Sequence, residues 1–173
     1  KGYISEKNNS YDLRIGIPKI LIGKLHTNNI SVQLNNHNGY PHLSAYLQQG
    51  KRKSKAITFN ADVEARQDSI LTSVNWFNKD TIVNKGDINS LVVFDAIDNA
   101  LTAQVHLLPS SFILRDSLWN LSSGPIEWRK DTTLHIDNFS LSNSTQHIYI
   151  NGVMGRSLSA SLKLNLKQID LGY

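Results

Sequence analysis

The sequence lacks several features that would point to a familiar class of protein. It contains no cysteine among its 173 residues, which excludes disulfides and thiolate metal sites. Proline occurs four times, and no stretch approaches the run of about eighteen apolar residues that a membrane helix needs. The chain starts at Lys1-Gly2-Tyr3, without an initiator Met or a charged-then-apolar leader. We therefore expect residues 1–173 to form one domain, cut from a longer protein whose anchor or signal lies upstream.

Catalytic and nucleotide-binding motifs are also missing. There is no G-x-G-x-x-G, no P-loop and no G-x-S-x-G elbow. Six histidines are present, but none has the spacing of a metal-binding motif. Four carboxylates lie near tryptophans; we interpret them as solvated charges, and a catalytic pair of the glycosidase type is the alternative. We expect no enzyme activity, no metal and no cofactor. These candidates are His26, His37, His42, His106, His135 and His147, and Asp116, Glu127, Asp131 and Asp137.

The net charge of +4 and the pI of about 9.3 are only mildly basic. One dense cluster, Lys51-Arg52-Lys53-Ser54-Lys55, follows Gly50 between two strand-like runs. A solvated hairpin tip is the favoured interpretation, and contact with acidic lipid headgroups or nucleic acid is the alternative. Proteins that bind single-stranded nucleic acid place aromatic residues among their cations, and this cluster has none. We therefore expect no nucleic acid partner.

The strongest signal present is alternation of apolar and polar residues. It is plainest over Ile57–Ala65, Leu101–Leu107 and Ala160–Lys167. A period of two is typical of β-strands with one dry and one wet face, and it holds the hydrophobic share to 40%. Similar runs, separated by polar turns, continue along the whole chain. The pattern predicts an all-β sandwich, barrel or solenoid-like sheet.

Residues that break strands or favour turns refine this prediction. Pro18 predicts an edge or bend, and Asn151-Gly152 predicts a hairpin turn. Residues 95–99 are expected to form a loop. The alternation breaks at 91–94, which we interpret as a doubly buried run or a bulge, and again at 107–108. The sequence leaves open which residues face the dry side at these two breaks.

The three tryptophans have two interpretations. Trp76 is in phase with Ile70 and Val74, and Trp128 is in phase with Ile126, so both are expected on the dry face. Core packing is the ordinary role for such residues, and lining a ligand groove is the alternative. A sugar platform at Trp119 has weaker support.

A longer pattern occupies the C-terminal half. Its parts are Val105–Trp119, Ile126, Ile136–Leu141 and Gln146–Gly152, preceded by Ser73–Asn78 and Gly86–Ile88. This pattern resembles the C-terminal region of the TamB family (translocation and assembly module), as found in Bacteroidetes-like bacteria. The resemblance covers residues 57–171 and consists of strand-and-turn patterns. Met154-Gly155-Arg156 departs from it, because a short polar turn is expected there.

The resemblance implies a fold and a role. Members of the family belong with AsmA-like, bridge-like lipid-transfer proteins, whose elongated, antiparallel-rich sheet curls into an open apolar groove shaped like a taco shell. The implied function is to shield phospholipid acyl chains between the inner and outer membranes, in the periplasm, in outer-membrane biogenesis or protein secretion. The implied partners are phospholipid acyl chains, a TamA/BamA-like outer-membrane barrel, and the inner membrane through an anchor outside this segment.

The dry-face residues of the clearest strands are the predicted lipid-binding set. A closed β-sandwich that binds a glycan or a protein at the cell surface is the alternative, with the same residues sealed in a core. The predicted set comprises Ile57, Phe59, Ala61, Val63, Ile70, Val74, Trp76, Leu101, Ala103, Val105, Leu134, Ile136, Ile148, Ile150, Ala160, Leu162, Leu164 and Leu166.

Overall fold

The computed structural model describes residues 1–5, 9–22, 25–37, 39–50, 56–78, 80–97, 100–129, 133–155 and 160–169. Within these ranges all regular structure is β-strand. The basic cluster at 51–55 lies outside the described residues. The strands are β1 Gly2–Ser5, β2 Ser10–Ile22, β3 Leu25–Asn35, β4 His42–Gln49, β5 Ile57–Ala65, β6 Ser69–Asn78, β7 Lys85–Ile97, β8 Ala100–Leu107, β9 Ser110–Leu114, β10 Ser117–Ser122, β11 Ile126–Trp128, β12 Leu134–Ser142, β13 His147–Met154 and β14 Ser161–Lys167.

All of these strands belong to one curled antiparallel sheet, which confirms the all-β prediction. From β1 to β8 each strand pairs with the next strand in the chain. The longest strands, β2 and β7, have 13 residues each. Two sheets closed over a shared core, which was the alternative expectation, are not what the described strands form.

The sheet remains a simple meander through β8–β12, where the strands are interrupted. Val105 faces Ile126 and Ser110 faces Leu121, so the intervening segments 106–109 and 122–125 are equal in length. Together β8 and β9 follow one strand path, and β10 and β11 follow the next. Each break contains a proline, Pro109 or Pro125, and proline has no N–H to donate to the ladder.

Several turns follow from residues that tolerate a left-handed backbone. The β9–β10 hairpin turns at Arg115 and Asp116, whose φ values are 49° and 65°. Two consecutive positive φ values are characteristic of the type I′ turn, which suits the right-handed twist of hairpins. The turn between β3 and β4 contains Gly39 with φ 82°.

Two sequence predictions, one in β13 and one at the end of β7, were wrong. Asn151-Gly152 is no hairpin turn but lies inside β13, because the partner strand accommodates it with a bulge at Asp137–Asn138. Gly152 uses its conformational freedom there, with φ 125°. The loop expected at 95–99 is wrong for residues 95–97, which belong to β7, and residues 98 and 99 lie outside the described residues.

Candidate functional site: an uncovered apolar face

Apolar side chains from neighbouring strands line up on one face of the sheet. In β5 and β6, Phe59 is paired with Trp76 and Ala61 with Val74. Residues that are directly paired in an antiparallel ladder project from the same face, and alternate residues share it. The odd-numbered positions of β5 and their partners therefore define a single surface, which we call the apolar face.

The same face continues to the far edge of the sheet. Val92 of β7 pairs with Val105 of β8, which pairs with Ile126 and then Ile136. Beyond the bulge in β12, the register links Leu141 to Ile148 and Ile148 to Leu166. An unbroken chain of cross-strand partners therefore connects β6 with β14.

The register places every residue of the predicted lipid-binding set on this face except Ala160. Ala160 lies just before β14 begins and has no strand partner. The register shows that these side chains share a face; whether they contact a lipid stays a prediction. The set on the face is Ile57, Phe59, Ala61, Val63, Ile70, Val74, Trp76, Leu101, Ala103, Val105, Leu134, Ile136, Ile148, Ile150, Leu162, Leu164 and Leu166.

The face is wider than the predicted set. Strands β2–β4 extend it, and further members come from β7, β11 and β12. The alternation signal was present at these positions, but cross-strand register was needed to decide which parity each strand contributes. The additional members are Leu13, Ile15, Val32, Leu34, Leu43, Ala45, Leu47, Ile88, Val92, Phe94, Ile126, Trp128, Phe139 and Leu141.

The two breaks in alternation are resolved by pairing. Residues 91–94 contain no bulge, since the ladders on both sides keep a constant register. Val92 and Phe94 lie on the apolar face, whereas Leu91 and Val93 lie on the opposite face. Leu107 pairs with Ser90 on the apolar face, and Leu108 lines a depression with Leu71 and Leu91 of the opposite face.

Bulges keep the apolar face in phase where the sequence skips a position. Pro18 separates Ile17 from Ile20, which are three residues apart. The neighbouring strand carries a register shift between Asn28 and Ser31, and Asn29 there has φ 51°. This shift brings Ile17 and Ile20 to the same face. The bend predicted at Pro18 is thus a bulge in the adjacent strand.

No second layer covers the apolar face among the described residues. None of their large side chains is fully buried. Ile15 is 59% exposed, and Leu101, Leu164 and Leu166 are each 56% exposed. Contiguous exposed apolar surface of this kind marks a binding site for a partner, ligand or membrane in soluble proteins.

One well-packed part of the face is an aromatic cluster. The rings of Trp76 and Phe112 meet edge-to-face with centroids 5.3 Å apart, and Phe112 is buried. Gly86 lies between them, and its missing side chain makes room for both rings. The Nε1 of Trp76 is buried and has no hydrogen-bond partner among the described residues. The cluster lies at the end of the apolar face where β6 ends and β7 begins.

Charged groups lie on the other face. Asp12 accepts hydrogen bonds from Arg14 at 2.9 and 2.7 Å and contacts His37 Nε2 at 3.1 Å. The Arg14 hydrogen bond is the largest cause lowering the Asp12 pKa to about 2, assisted by His37 and opposed by burial. Glu127 accepts hydrogen bonds from Arg129 and Gln104, which lower its pKa in that order of importance.

Several of the histidines and carboxylates considered from sequence have local partners. Asp116 Oδ1 accepts the Val83 N–H at 2.7 Å, and Asp137 Oδ1 accepts from Asn138. His106 contacts Gln104, and His147 contacts Ser140. Asp131 lies outside the described residues. Among the residues that the structure describes, no group of three or more His, Asp or Glu side chains could hold a metal ion.

The described residues include no helix that is long and apolar enough to cross a membrane. No family model, curated protein or solved structure matches this chain.

Proposed function

We propose that this protein is a lipid-transfer module that shields phospholipid acyl chains on its apolar face. The observation that carries the proposal is the continuity of that face across the sheet together with its exposure. A fold that needed these residues only for stability would cover them with a second layer. Here a guest is needed to complete the burial.

The energetics favour an acyl chain as that guest. Moving hydrocarbon from a bilayer into water costs about 0.8 kcal/mol per CH₂, so a chain of about sixteen carbons faces a barrier on the order of 12 kcal/mol. An aliphatic surface that follows the chain removes most of this cost without chemistry. Ile, Leu, Val and Ala dominate the apolar face, which gives a smooth wall along which a chain slides.

The resemblance to the TamB family supplies the setting of the proposal. In that setting the module lies in the periplasm, attached to the inner membrane through a segment outside this sequence. It passes phospholipid towards a TamA/BamA-like outer-membrane barrel. In this proposal the apolar face lines the inside of the groove, and the opposite face, which carries Arg14, Glu127 and Lys163, faces water.

The test compares two carboxylates introduced on opposite faces of one strand. Leu162→Glu charges the apolar face, whereas Ser161→Glu, the adjacent exposed position, charges the other. We expect Leu162→Glu to weaken binding of anthroyloxy-stearate and to slow transfer of a fluorescent phospholipid between vesicles. Ser161→Glu should leave both unchanged. A second substitution, Val63→Glu, charges the apolar face in β5. Its control is the wild-type chain, in which the adjacent Glu64 already places a carboxylate on the opposite face.

Folding must be verified before either pair is interpreted. Far-ultraviolet circular dichroism and thermal unfolding establish that each variant retains its sheet. Equal lipid binding and transfer in folded Leu162→Glu, Val63→Glu and wild-type protein would contradict the proposal. Absence of stearate binding to the wild-type protein would contradict it equally.

A further inference from the structure

A second candidate site lies on the opposite face, where β6, β7, β9 and β10 meet. It is an open depression of about 560 Å³. Small-molecule sites commonly have volumes of about 300–1,000 Å³. Trp76, Gly86 and Phe112 also line it, but the register puts their neighbours Phe77 and Lys85 on the face opposite the aromatic cluster. The exposed side chains of the depression therefore lie on the face opposite the proposed acyl-chain surface.

One side of this depression is apolar and exposed. Lys85 pairs with both Phe77 and Ile113, and Ile113 pairs with Leu118, so these residues form one row. Phe77 is 43% exposed and Leu118 is 56% exposed. They lie at the two ends of this row, separated by Lys85 and Ile113, and each offers a ligand an exposed apolar side chain.

The other side is a polar row in which internal hydrogen bonds fix the side chains. Asn60 Nδ2 donates to Asn75 Oδ1 at 2.8 Å, and Ser111 Oγ donates to Asn120 Oδ1 at 2.8 Å. Asn89 Nδ2 donates to Asp87 Oδ1 at 3.1 Å. The three lining residues Asn75, Asp87 and Ser111 are thus held in place by neighbours outside the depression.

These bonds leave donors and acceptors available to a ligand. Among the described residues, neither the Nδ2 of Asn75 nor the ammonium of Lys85 has a hydrogen-bond partner, and the Oδ2 of Asp87 accepts no bond. The Ser111 hydroxyl oxygen retains lone pairs, since it acts as donor to Asn120. Two donors and two acceptors therefore converge beside the apolar row.

We infer that this depression binds a saccharide. Sugar hydroxyls donate and accept in turn, so they satisfy a mixed row of amide, carboxylate, ammonium and hydroxyl groups. The C–H face of a pyranose ring packs against an exposed aromatic side chain such as Phe77. Lys85 and Asp87 carry opposite charges, so these groups have no net charge, and it is the exposed aromatic ring beside them that favours a sugar over a zwitterionic headgroup.

The experiment is an NMR titration of the folded chain with maltotetraose, cellotetraose and chitotetraose at millimolar concentration. We expect saturable shifts of the amides around Asn75–Phe77, Lys85–Asp87 and Ser111–Ile113 with at least one of them. Asp87→Asn should weaken this binding roughly tenfold, as loss of one charge-assisted hydrogen bond implies. Phe77→Ala should weaken it as well, and Phe77→Tyr should retain it.

Matched controls separate the site from general effects. Asp95 is an exposed aspartate of the same strand and the same face, roughly 26 Å from Asp87 at the rise of a β-strand. Asp95→Asn and Ile82→Ala, at an isoleucine 50% exposed, should leave the titration unchanged. Leu162→Glu should also leave it unchanged, which distinguishes this site from the proposed lipid surface.

Three results would overturn the inference. The first is an absence of localised shifts with all three oligosaccharides. The second is an unchanged affinity in both Asp87→Asn and Phe77→Ala. The third is binding of phosphoethanolamine at these amides without binding of any sugar, which would assign the depression to a charged headgroup.

Discussion

Substitution of Gly86 by alanine tests whether the aromatic cluster is packed as described. A Cβ at this position would lie 2.5 Å from the Cβ of Phe112 and 2.6 Å from Cη2 of Trp76. Real Cβ atoms do not approach so closely, so both rings must move. Overpacking of this kind destabilises proteins by about 1–3 kcal/mol. We expect Gly86→Ala to lower the free energy of unfolding by that amount.

Gly16 provides the matched control. It lies in β2 with no atom within 4 Å of an added Cβ, and its backbone is not in the left-handed region. Gly16→Ala removes chain entropy from the unfolded state and should stabilise the protein by about 0.4–1 kcal/mol. The measurement is urea unfolding followed by circular dichroism, with the slope of free energy against urea compared between variants.

A double mutant isolates the cause. In a Trp76→Leu background the larger clash disappears, so Gly86→Ala should cost clearly less than it does in the wild type. The packing argument would be refuted if Gly86→Ala were neutral or stabilising, or if its effect were the same in both backgrounds.

Two further predictions concern stability. The folded pKa of Asp12 is depressed from 3.8 to about 2, so its contribution is present above the unfolded value and is lost as the pH falls from about 4 towards 2; unfolding measured across this window should show a weaker pH dependence in Asp12→Asn, and an identical profile would contradict the ion pair. Gly152 has φ 125°, and an added Cβ would lie 3.2 Å from the Ser161 carbonyl carbon, so Gly152→Ala should lower the unfolding free energy by at least about 1 kcal/mol. An unchanged denaturation midpoint in Gly152→Ala would show that β14 is not held against this residue.

The clearest strand was predicted with its observed bounds, because Ile57–Ala65 alternates without interruption and its pairing on both sides is regular. Ile70, Val74 and Trp76 share a face as predicted, for the same reason. The error at Asn151-Gly152 has a different origin. The dipeptide does supply a positive φ, but a bulge in β12 uses it, and a bulge is a property of two strands that one segment cannot reveal.

The full extent of the apolar face could not be predicted for the same reason, because it depends on the pairing of neighbouring strands. Each strand shows its two faces, but the sequence does not state which parity of one strand lies beside which parity of the next. Residues 91–94 illustrate this, since an uninterrupted apolar run turned out to have Val92 on one face and Leu91 on the other. The saccharide site depended on register even more strongly, because Phe77, Lys85 and Ile113 come from three strands.

Quenching of a single tryptophan by a brominated fatty acid tests the central proposal most directly. Trp128 lies on the apolar face and is 41% exposed, whereas Tyr149 lies on the opposite face, paired with Asn165 of β14. One variant retains only Trp128, and its counterpart carries Tyr149→Trp as the sole tryptophan. We expect 9,10-dibromostearate to quench Trp128 in a saturable manner and to leave the tryptophan at position 149 unaffected. Equal quenching at both positions, or none at Trp128, would contradict acyl-chain binding on the apolar face.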